Sequence, residues 1–560
     1  MSILAVMMAA CLVPRATRNP PSVAKSPAND RVRVEAESMR REGGGPLARE
    51  GWRGVALAKS KDALTMPFEF FSPGRWRFDV RGCSSNAQPV AVSVLIDGWT
   101  RASGWLASSQ PEALSLLVDV DVAGEHEVRL RPTVDLAGHD ALVDWIEIAR
   151  MGDLTAPPTP PAQGAVGTGR WRNLFVLRGH PEAEVARKIA QAWSSLFQGD
   201  PDNEAVYFTS GSNANGALAY VEDVGHGDVR SEGMSYGMMI AVELDHKAEF
   251  DALWNWAKTY MAHPDPEDPV HGYFAWQVRP DGKVMDPMPA PDGEEYFVTA
   301  LYFAHARWGS GKGIYDYRAE ADRLLRAMRS HAGRLMSGGT GPDDGVAALF
   351  NPEHKQVRFT PHVADFRTNG DHTDPSYHLP AFYEVWARVG PASEAAFWKE
   401  VTRVSRDFLE RTAHPVTGLV PDYAEFSGRP KPRNGDPGGG DFRYDAWRAA
   451  MNWSVDHAWW AADPRAVARS DRLQAFFEGQ GLWTYANRYH LDGTPIGTDH
   501  SLGLLSTNAV ASLAASHARA WRFIDELWSA RVPQGKWRYY DGLLYLMSLL
   551  HVSGQFRPYL

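Results

Sequence analysis

Apolar and polar positions alternate along residues 31 to about 150, and then the period changes. "RVRVEAE" puts Val32, Val34 and Ala36 on one face, and "RWRFDVR" does so with Trp76, Phe78 and Val80. "AVSVLID" aligns Val92, Val94 and Ile96, and "HEVRLR" aligns Val128 and Leu130. A period of two marks strands with one buried face. Gly-rich turns separate these runs, so the pattern predicts an all-β, jelly-roll-like sandwich. Further on the apolar positions fall at i, i+3, i+4 and i+7. "EFDALWNWAKTYM" carries Phe250, Leu253, Trp254, Ala257, Tyr260 and Met261, and "EEYFVTALYFAHARW" carries Phe297, Ala300, Leu301, Ala304 and Trp308. That is the stripe of an amphipathic helix. About eleven or twelve such segments continue to "YYDGLLYLMSLLHV" without a short fixed repeat, which predicts paired helices closed as an (α/α)6 barrel rather than a solenoid. Between the halves runs the Pro/Gly/Thr stretch "MGDLTAPPTPPAQGAVGTGR". The predicted organisation is a leader at 1–30, a sandwich at 31–152, a linker at 153–170 and a helical domain at 171–560.

Composition narrows the partners. A chain of 560 residues exceeds what one core serves. The balance of 58 basic and 68 acidic residues leaves −10, which argues against nucleic acid. Two cysteines, Cys11 and Cys83, make no disulfide framework. The short apolar run ending in Ala9-Ala10-Cys11 is similar to a lipoprotein signal, although no Lys or Arg precedes it. An exported protein, periplasmic or lipid-anchored, is the expectation, with a plain leader on a cytoplasmic protein as the alternative. No run of the ~20 apolar residues that span a bilayer occurs. The 21 Trp suit surfaces where an apolar ring meets a sugar, or equally a core.

Three acids stand at three helix starts: Glu232 in "SEGMSYGMMIAV", Asp292 in "PAPDGEEYF" and Asp374 in "HTDPSYH". Each also reads as a cap, since Asp292 with Glu295 has the form of a capping box, and Asp374 before Pro375 that of an N-cap. If alternate helices of a barrel run the same way, these starts meet at one rim. Tyr236, Trp254, Trp256, Trp276, Tyr296 and Tyr377 lie near them in sequence, and carboxylates framed by aromatics suit acetal hydrolysis. A helix N-terminus favours an ionised carboxylate, so a general acid needs burial or a neighbouring acid to stay protonated. Glu232, with an apolar run behind it, fits the acid. Asp374, beside the polar "NGDHT", fits a solvated base.

The blocks "SEGMSYGMMIAV", "LWNWAKTYM", "GYFAW", "PAPDGEEYF", "DPSYHLPAFYE" and "FRYDAWRAAMNWSVDHAWW" together resemble glycoside hydrolase family 8, closest to its reducing-end xylose-releasing exo-oligoxylanases. The resemblance spans 171 to 560 in family order. It implies an (α/α)6 barrel, inversion and xylooligosaccharides as substrate, with no cofactor in catalysis. It places Glu232 as general acid, Asp374 as base and Asp292 as a holder of the sugar at the cleavage point. Trp276 and Tyr444 match cleft-lining aromatics, and Tyr236 and Tyr377 are further substrate-binding candidates. The N-terminal half resembles carbohydrate-binding modules of families 6 and 35 through "VEAE", "GRWRFDVR" and "ALVDWIEI". That implies a structural calcium on Glu35, Glu37 and Asp144, with Trp99 and Trp105 as sugar platforms or core residues.

Other readings remain beside this one. Asp371, His372, Asp374 and His378 have the residue types of a metal-dependent hydrolase. A sugar-binding protein without catalysis would have no need of an acid and base pair. Within the family, an endo-acting xylanase, glucanase or chitosanase is the alternative. The loop "EFSGRPKPRNGDPGGGDF", Glu425 to Phe442, is the candidate for closing one end of a cleft, with Arg429, Lys431 and Arg433 as donors to sugar hydroxyls. Its glycines equally suit a mobile surface loop. A monomer is expected.

Overall fold

In the computed structural model, residues 31–49, 52–86, 88–133, 140–331, 334–335 and 345–560 are described. Cys11 and the rest of the leader lie outside them. The chain divides into two compact units, 1–154 and 155–560.

The first unit is a sandwich of two antiparallel sheets. Its strands are β1 (Arg31–Glu35), β2 (Arg40–Glu42), β3 (Gly45–Arg49), β4 (Trp52–Leu57), β5 (Ala63–Phe70), β6 (Gly74–Ser84), β7 (Val90–Ile96), β8 (Trp99–Leu106), β9 (Glu112–Val120), β10 (Gly124–Pro132) and β11 (Ala141–Gly152). One sheet runs β3-β4-β11-β6-β9 with β1 added to β11, and the other runs β2-β5-β10-β7-β8. The alternating residues read from the sequence form the core, where Trp76, Phe78, Val80, Val92, Val94, Val128 and Leu130 are buried. Cys83 is buried as well.

The second unit contains fifteen helices among its described residues. Three are short: α1 (Gly164–Thr168), α2 (Leu174–Arg178) and α8 (Val363–Asn369). Six outer helices, α3 (Glu182–Gln198), α5 (Lys247–Tyr260), α7 (Tyr317–Ser330), α10 (Ala395–Thr412), α12 (Arg465–Gln480) and α14 (Ala520–Ser529), alternate with six inner ones. The inner six are α4 (Ser231–Glu243), α6 (Pro291–Trp308), α9 (Pro380–Val389), α11 (Trp447–Trp460), α13 (Leu502–Val510) and α15 (Arg538–Val552). Each inner helix packs on the next in that order and α15 returns to α4, which closes the (α/α)6 barrel. Packing explains the two kinds of pattern. The outer helix α10 buries one stripe, Trp398, Val401, Thr402, Ser405, Phe408, Leu409 and Thr412, because its other face meets water. The inner helix α6 is buried all round from Pro291 to Ala304, since it has neighbours on every side.

Two features depart from the sequence reading. A five-stranded antiparallel sheet lies within the helical unit, made of β12 (Tyr207–Asn213), β13 (Gly216–Asp223), β14 (Asp228–Arg230), β15 (Gln277–Val278) and β16 (Val284–Asp286). The stretch predicted as a linker is also bound to the barrel from residue 155 on. Trp521 Nε1 donates to the Thr155 carbonyl at 2.7 Å, Arg172 donates to the Pro158 carbonyl, and α1 packs on α11. A chain shortened to 155–560 is therefore expected to keep the melting temperature of the helical unit. One shortened to 171–560 should lose about 1–3 kcal/mol from the lost Trp521–Thr155 hydrogen bond and bared apolar surface. Thermal melts of the two proteins check this.

Candidate active site

The N-terminal ends of the inner helices converge. Chain entry is set by β14, which runs directly into α4, so Glu232 is the second residue of that helix. Asp292 is the second residue of α6, after Pro291 at its first position. Asp374 caps the 3-10 turn Pro375–Tyr377 ahead of α9, where its Oδ1 accepts from the Ser376 amide at 2.7 Å. Glycine follows both Glu232 and Asp292 for a steric reason. A Cβ at Gly233 would collide with the Tyr539 ring, and one at Gly293 would collide with Ser231.

Capping accounts for only part of this arrangement. The Asp374 cap is present. The capping box predicted for Asp292 and Glu295 is absent, because Asp292 already lies inside the helix and Glu295 is buried, hydrogen-bonded to the Tyr383 hydroxyl at 2.6 Å.

One cation joins the acids. Arg448, buried on α11, donates through Nη1 to Glu232 Oε1 at 2.7 Å, to Asp292 Oδ2 at 2.7 Å and to the Tyr236 hydroxyl. Its Nη2 donates to Ser376 Oγ at 2.9 Å and lies 3.1 Å from Asp445 Oδ1. Tyr377 faces the same guanidinium, 5.8 Å from its ring centre. Thus Glu232, Asp292, Tyr236 and Tyr377 all touch or face Arg448, and Asp374 reaches it through Ser376. Sequence reasoning missed Arg448. Its signal was an arginine set among the apolar residues of "DAWRAAM", since a buried cation requires acids nearby.

Environment separates the acids. The Glu232 side chain keeps 16% exposure, against 4% for Asp292. Burial, offset by Arg448 and reinforced by the charges of Asp292 and Asp445, lifts Glu232 from the ordinary 4.5 to about 8. It is therefore protonated at neutral pH, as a general acid must be. Asp374 corrects the sequence reading, because it is fully buried rather than solvated. Burial first, then the charges of Asp445 and Asp422, push it well above the usual carboxylate range. Asp374, Asp422 and Asp445 offer carboxylate oxygens within 4.8 Å of one another. Nothing in "LVPDYAEF" marked Asp422 beforehand.

A cavity of about 740 Å³ opens beside Glu232, walled by Tyr444, Trp447, Trp537, Tyr539 and Tyr540 among others. Tyr444 adopts φ of 38° and is 46% exposed in that wall. Such a backbone costs about 1–3 kcal/mol for a non-glycine residue and is held by its surroundings. Trp276 lies next to the acid, its carbonyl accepting from the Ser231 amide at 3.0 Å and its ring facing Arg230.

The loop 425–442 is tied to Asp374's neighbour. Thr373 and Ala424 exchange backbone hydrogen bonds at 2.9 Å, Lys431 N donates to the Tyr423 carbonyl at 2.8 Å, and Tyr423 N to the Gly439 carbonyl at 2.7 Å. Arg433 pairs with Asp365 at 2.7 Å and Arg429 with Glu425 at 2.7 Å. These two arginines are thus committed to protein partners, contrary to the sequence reading of them as sugar donors.

The metal-type cluster does not assemble. Asp371 pairs with Arg358 at 2.9 Å, while His372 bonds the Gly370 carbonyl and His378 bonds Thr373 and Ser405. In the sandwich, Glu35, Glu37 and Asp144 do not bring their carboxylates within 4.8 Å of one another. Asp144 instead faces Arg81 at 3.3 Å, so these three residues do not fit the calcium site that the resemblance implied. Trp99 is 57% exposed and Trp105 half-buried.

Comparison with known proteins agrees with this geometry. Glycosyl hydrolases family 8 matches residues 220–554. The chain is 42% identical over 402 residues to the reducing-end xylose-releasing exo-oligoxylanase Rex8A of Paenibacillus barcinonensis, covering 71% of this chain and 99% of that one. A family 8 xylobiose complex from Teredinibacter turnerae superposes with a TM-score of 0.68 at 54% identity, covering 71% of this chain and all of that one. A xylanase from the same organism, a catalytic mutant in complex with xylohexaose, gives 0.67 at 54% identity with the same coverage.

Proposed function

Because the chain belongs to glycosyl hydrolase family 8, we propose that it hydrolyses β-1,4-xylooligosaccharides with inversion and releases xylose from the reducing end. Glu232 gives its proton to the leaving glycosidic oxygen. Asp374, in its ionised form, takes a proton from the water that attacks the anomeric carbon from the opposite face, and its raised proton affinity strengthens it as an acceptor. Asp292, fixed by Arg448 and the Gly293 amide at 3.0 Å, holds hydroxyls of the sugar being cleaved. Trp276, Tyr444, Tyr236 and Tyr377 shape its surroundings. The chemistry draws on the chain's own carboxylates and needs no cofactor.

One observation carries the exo reading. The cavity is open beside Glu232, whereas Asp374 is sealed at 0% exposure next to the loop 425–442. A cleft closed at one end takes chain ends rather than chain middles. The test is xylotetraose labelled at its reducing end, with xylose carrying the label as the expected first product and an α-configured new anomer by NMR. A β-configured first product overturns inversion. Replacing 428–439 by a short Gly-Ser connector removes the stitching and should shift products toward longer leaving fragments. If labelled xylose remains the sole early product, the loop is not the barrier.

Endo action on xylan is the second reading, favoured by the 54% identity to a neighbour described as a xylanase. Unlabelled internal fragments from xylohexaose would establish it. Export with acylation at Cys11 is read from the leader alone, and palmitate labelling of the expressed protein tests it. We read the protein as a monomer, which light scattering decides. A calcium ion in the sandwich would have to displace Arg81 from Asp144, and melts of the 1–154 unit in calcium and in chelator decide whether it does.

A further inference from the structure

Tyr383, on α9, has one hydrogen on its phenol and two oxygens beside it. Its Oη lies 2.6 Å from Glu295 Oε1 and 2.9 Å from the Tyr377 carbonyl. All three residues are buried, with Glu295 and Tyr383 at 0% exposure. A backbone carbonyl only accepts, so the phenol satisfies it only when the hydrogen of the other contact belongs to Glu295. Were Glu295 a carboxylate, it would take the phenol's hydrogen and deprive the carbonyl of it. It would also keep a bare anionic oxygen, because Glu295 Oε2 has no hydrogen-bond partner among the described residues. An ion with an unpartnered oxygen in a dry interior is costly, and the neutral acid avoids that cost. The groups acting on Glu295 are Asp292, Glu294 and Tyr296 on α6, Arg448 on α11 and Tyr383 on α9. Burial first, then the charges of Asp292 and Glu294, outweigh the Tyr383 contact and Arg448 and hold Glu295 well above the usual carboxylate range.

We propose that Glu295 is a positioning residue that stands as the neutral acid. It donates to Tyr383 Oη, Tyr383 donates to the Tyr377 carbonyl, and this chain fastens the turn from Asp374 to Tyr377 to α6. The other side of the same turn is held by α11, where Arg448 donates to Ser376 Oγ at 2.9 Å and Asn452 to the Ser376 carbonyl at 2.7 Å. Glu295 lies one helical turn after Asp292. One helix therefore sets the acid that holds the sugar and, through Tyr383, the turn that carries Asp374. The catalytic consequence rests on the reading of Asp374 as the base.

Glu295→Gln keeps a neutral donor, since its NH2 replaces the acid hydroxyl, and is expected to hold kcat on xylotriose within about threefold of the parent. Glu295→Leu and Tyr383→Phe break the chain and should each lose about tenfold to a hundredfold in kcat, with KM within about threefold. The proton has its own signature. Above the ordinary value of 4.5 the unfolded chain loses it while the folded protein keeps it. Stability from protonated Glu295 is therefore complete below 4.5 and is lost as pH rises toward the folded value. Glu295→Gln lacks that titration, so its melting temperature relative to the parent should climb from pH 5 to 9. A difference that stays flat overturns the neutral acid. Asp374→Asn is measured in parallel. A dead Asp374→Asn beside near-normal Glu295→Leu and Tyr383→Phe refutes this inference alone, whereas normal turnover in Asp374→Asn refutes the base and this role with it. Should the variants fold poorly, a neutron structure of the perdeuterated parent decides instead. A deuteron on Glu295, with the phenol's deuteron aimed at the Tyr377 carbonyl, is expected. A bare Glu295 carboxylate facing the phenol's deuteron overturns the proposal.

Discussion

Glu232→Gln is expected to lower kcat on xylotriose at least ~100-fold, because it removes the proton that the leaving oxygen requires. Asp374→Asn should cost as much, by removing the acceptor for the water's proton. The pH profile distinguishes the two. With Glu232 at about 8, the parent's kcat should fall as pH rises through that value and the acid ionises, a limb that Glu232→Gln lacks. The same shift has a consequence for stability. The folded value lies above the ordinary 4.5, so between 4.5 and about 8 the folded state keeps a proton that the unfolded state has lost. Stability contributed by protonated Glu232 is complete below that window and is lost as pH rises through it. Rates from pH 5 to 9 and melts over the same range measure both. Near-normal turnover in either variant would remove that residue from the site.

Arg448→Met should be the most damaging single change to both fold and activity. The guanidinium is the shared partner of Glu232, Asp292 and Asp445, and the substitution leaves all three without that partner. Removing one member of a buried ion pair costs about 3–5 kcal/mol. Burial already raises Glu232 and Asp292, and these two escape by protonating, so the deficit in melting temperature should be larger at pH 8 than at pH 5, where the unfolded chain also begins to take up protons. Activity should be lost through misplacement of Glu232 and Asp292, with kcat falling more than KM rises. An Arg448→Met protein that melts like its parent at pH 8 would show that the acids find another partner.

The sequence by itself determined the two architectures, since periods of 2 and 3.6 are local properties imposed by which faces must be buried. It also determined the three acids at helix starts, because "SEG", "PDG" and "TDPS" combine a carboxylate with a helix-starting context. Even the closure of the barrel was legible, as six alternating pairs of helices have few other ways to bury their inner members. The tertiary structure alone decided the rest. It set Arg448 between acids 156 and 216 positions away in the chain, and it brought Asp422 and Asp445 to Asp374. It buried Asp374, which the sequence reading had placed in solvent, and it committed Arg433 and Arg429 to Asp365 and Glu425. It also bound the Pro-rich stretch after 154 to the barrel. The physical reason is common to all of these. Burial and charge pairing depend on distances through space, which residue spacing does not encode, and a carboxylate's proton affinity is fixed by whichever charges and apolar walls the fold places around it.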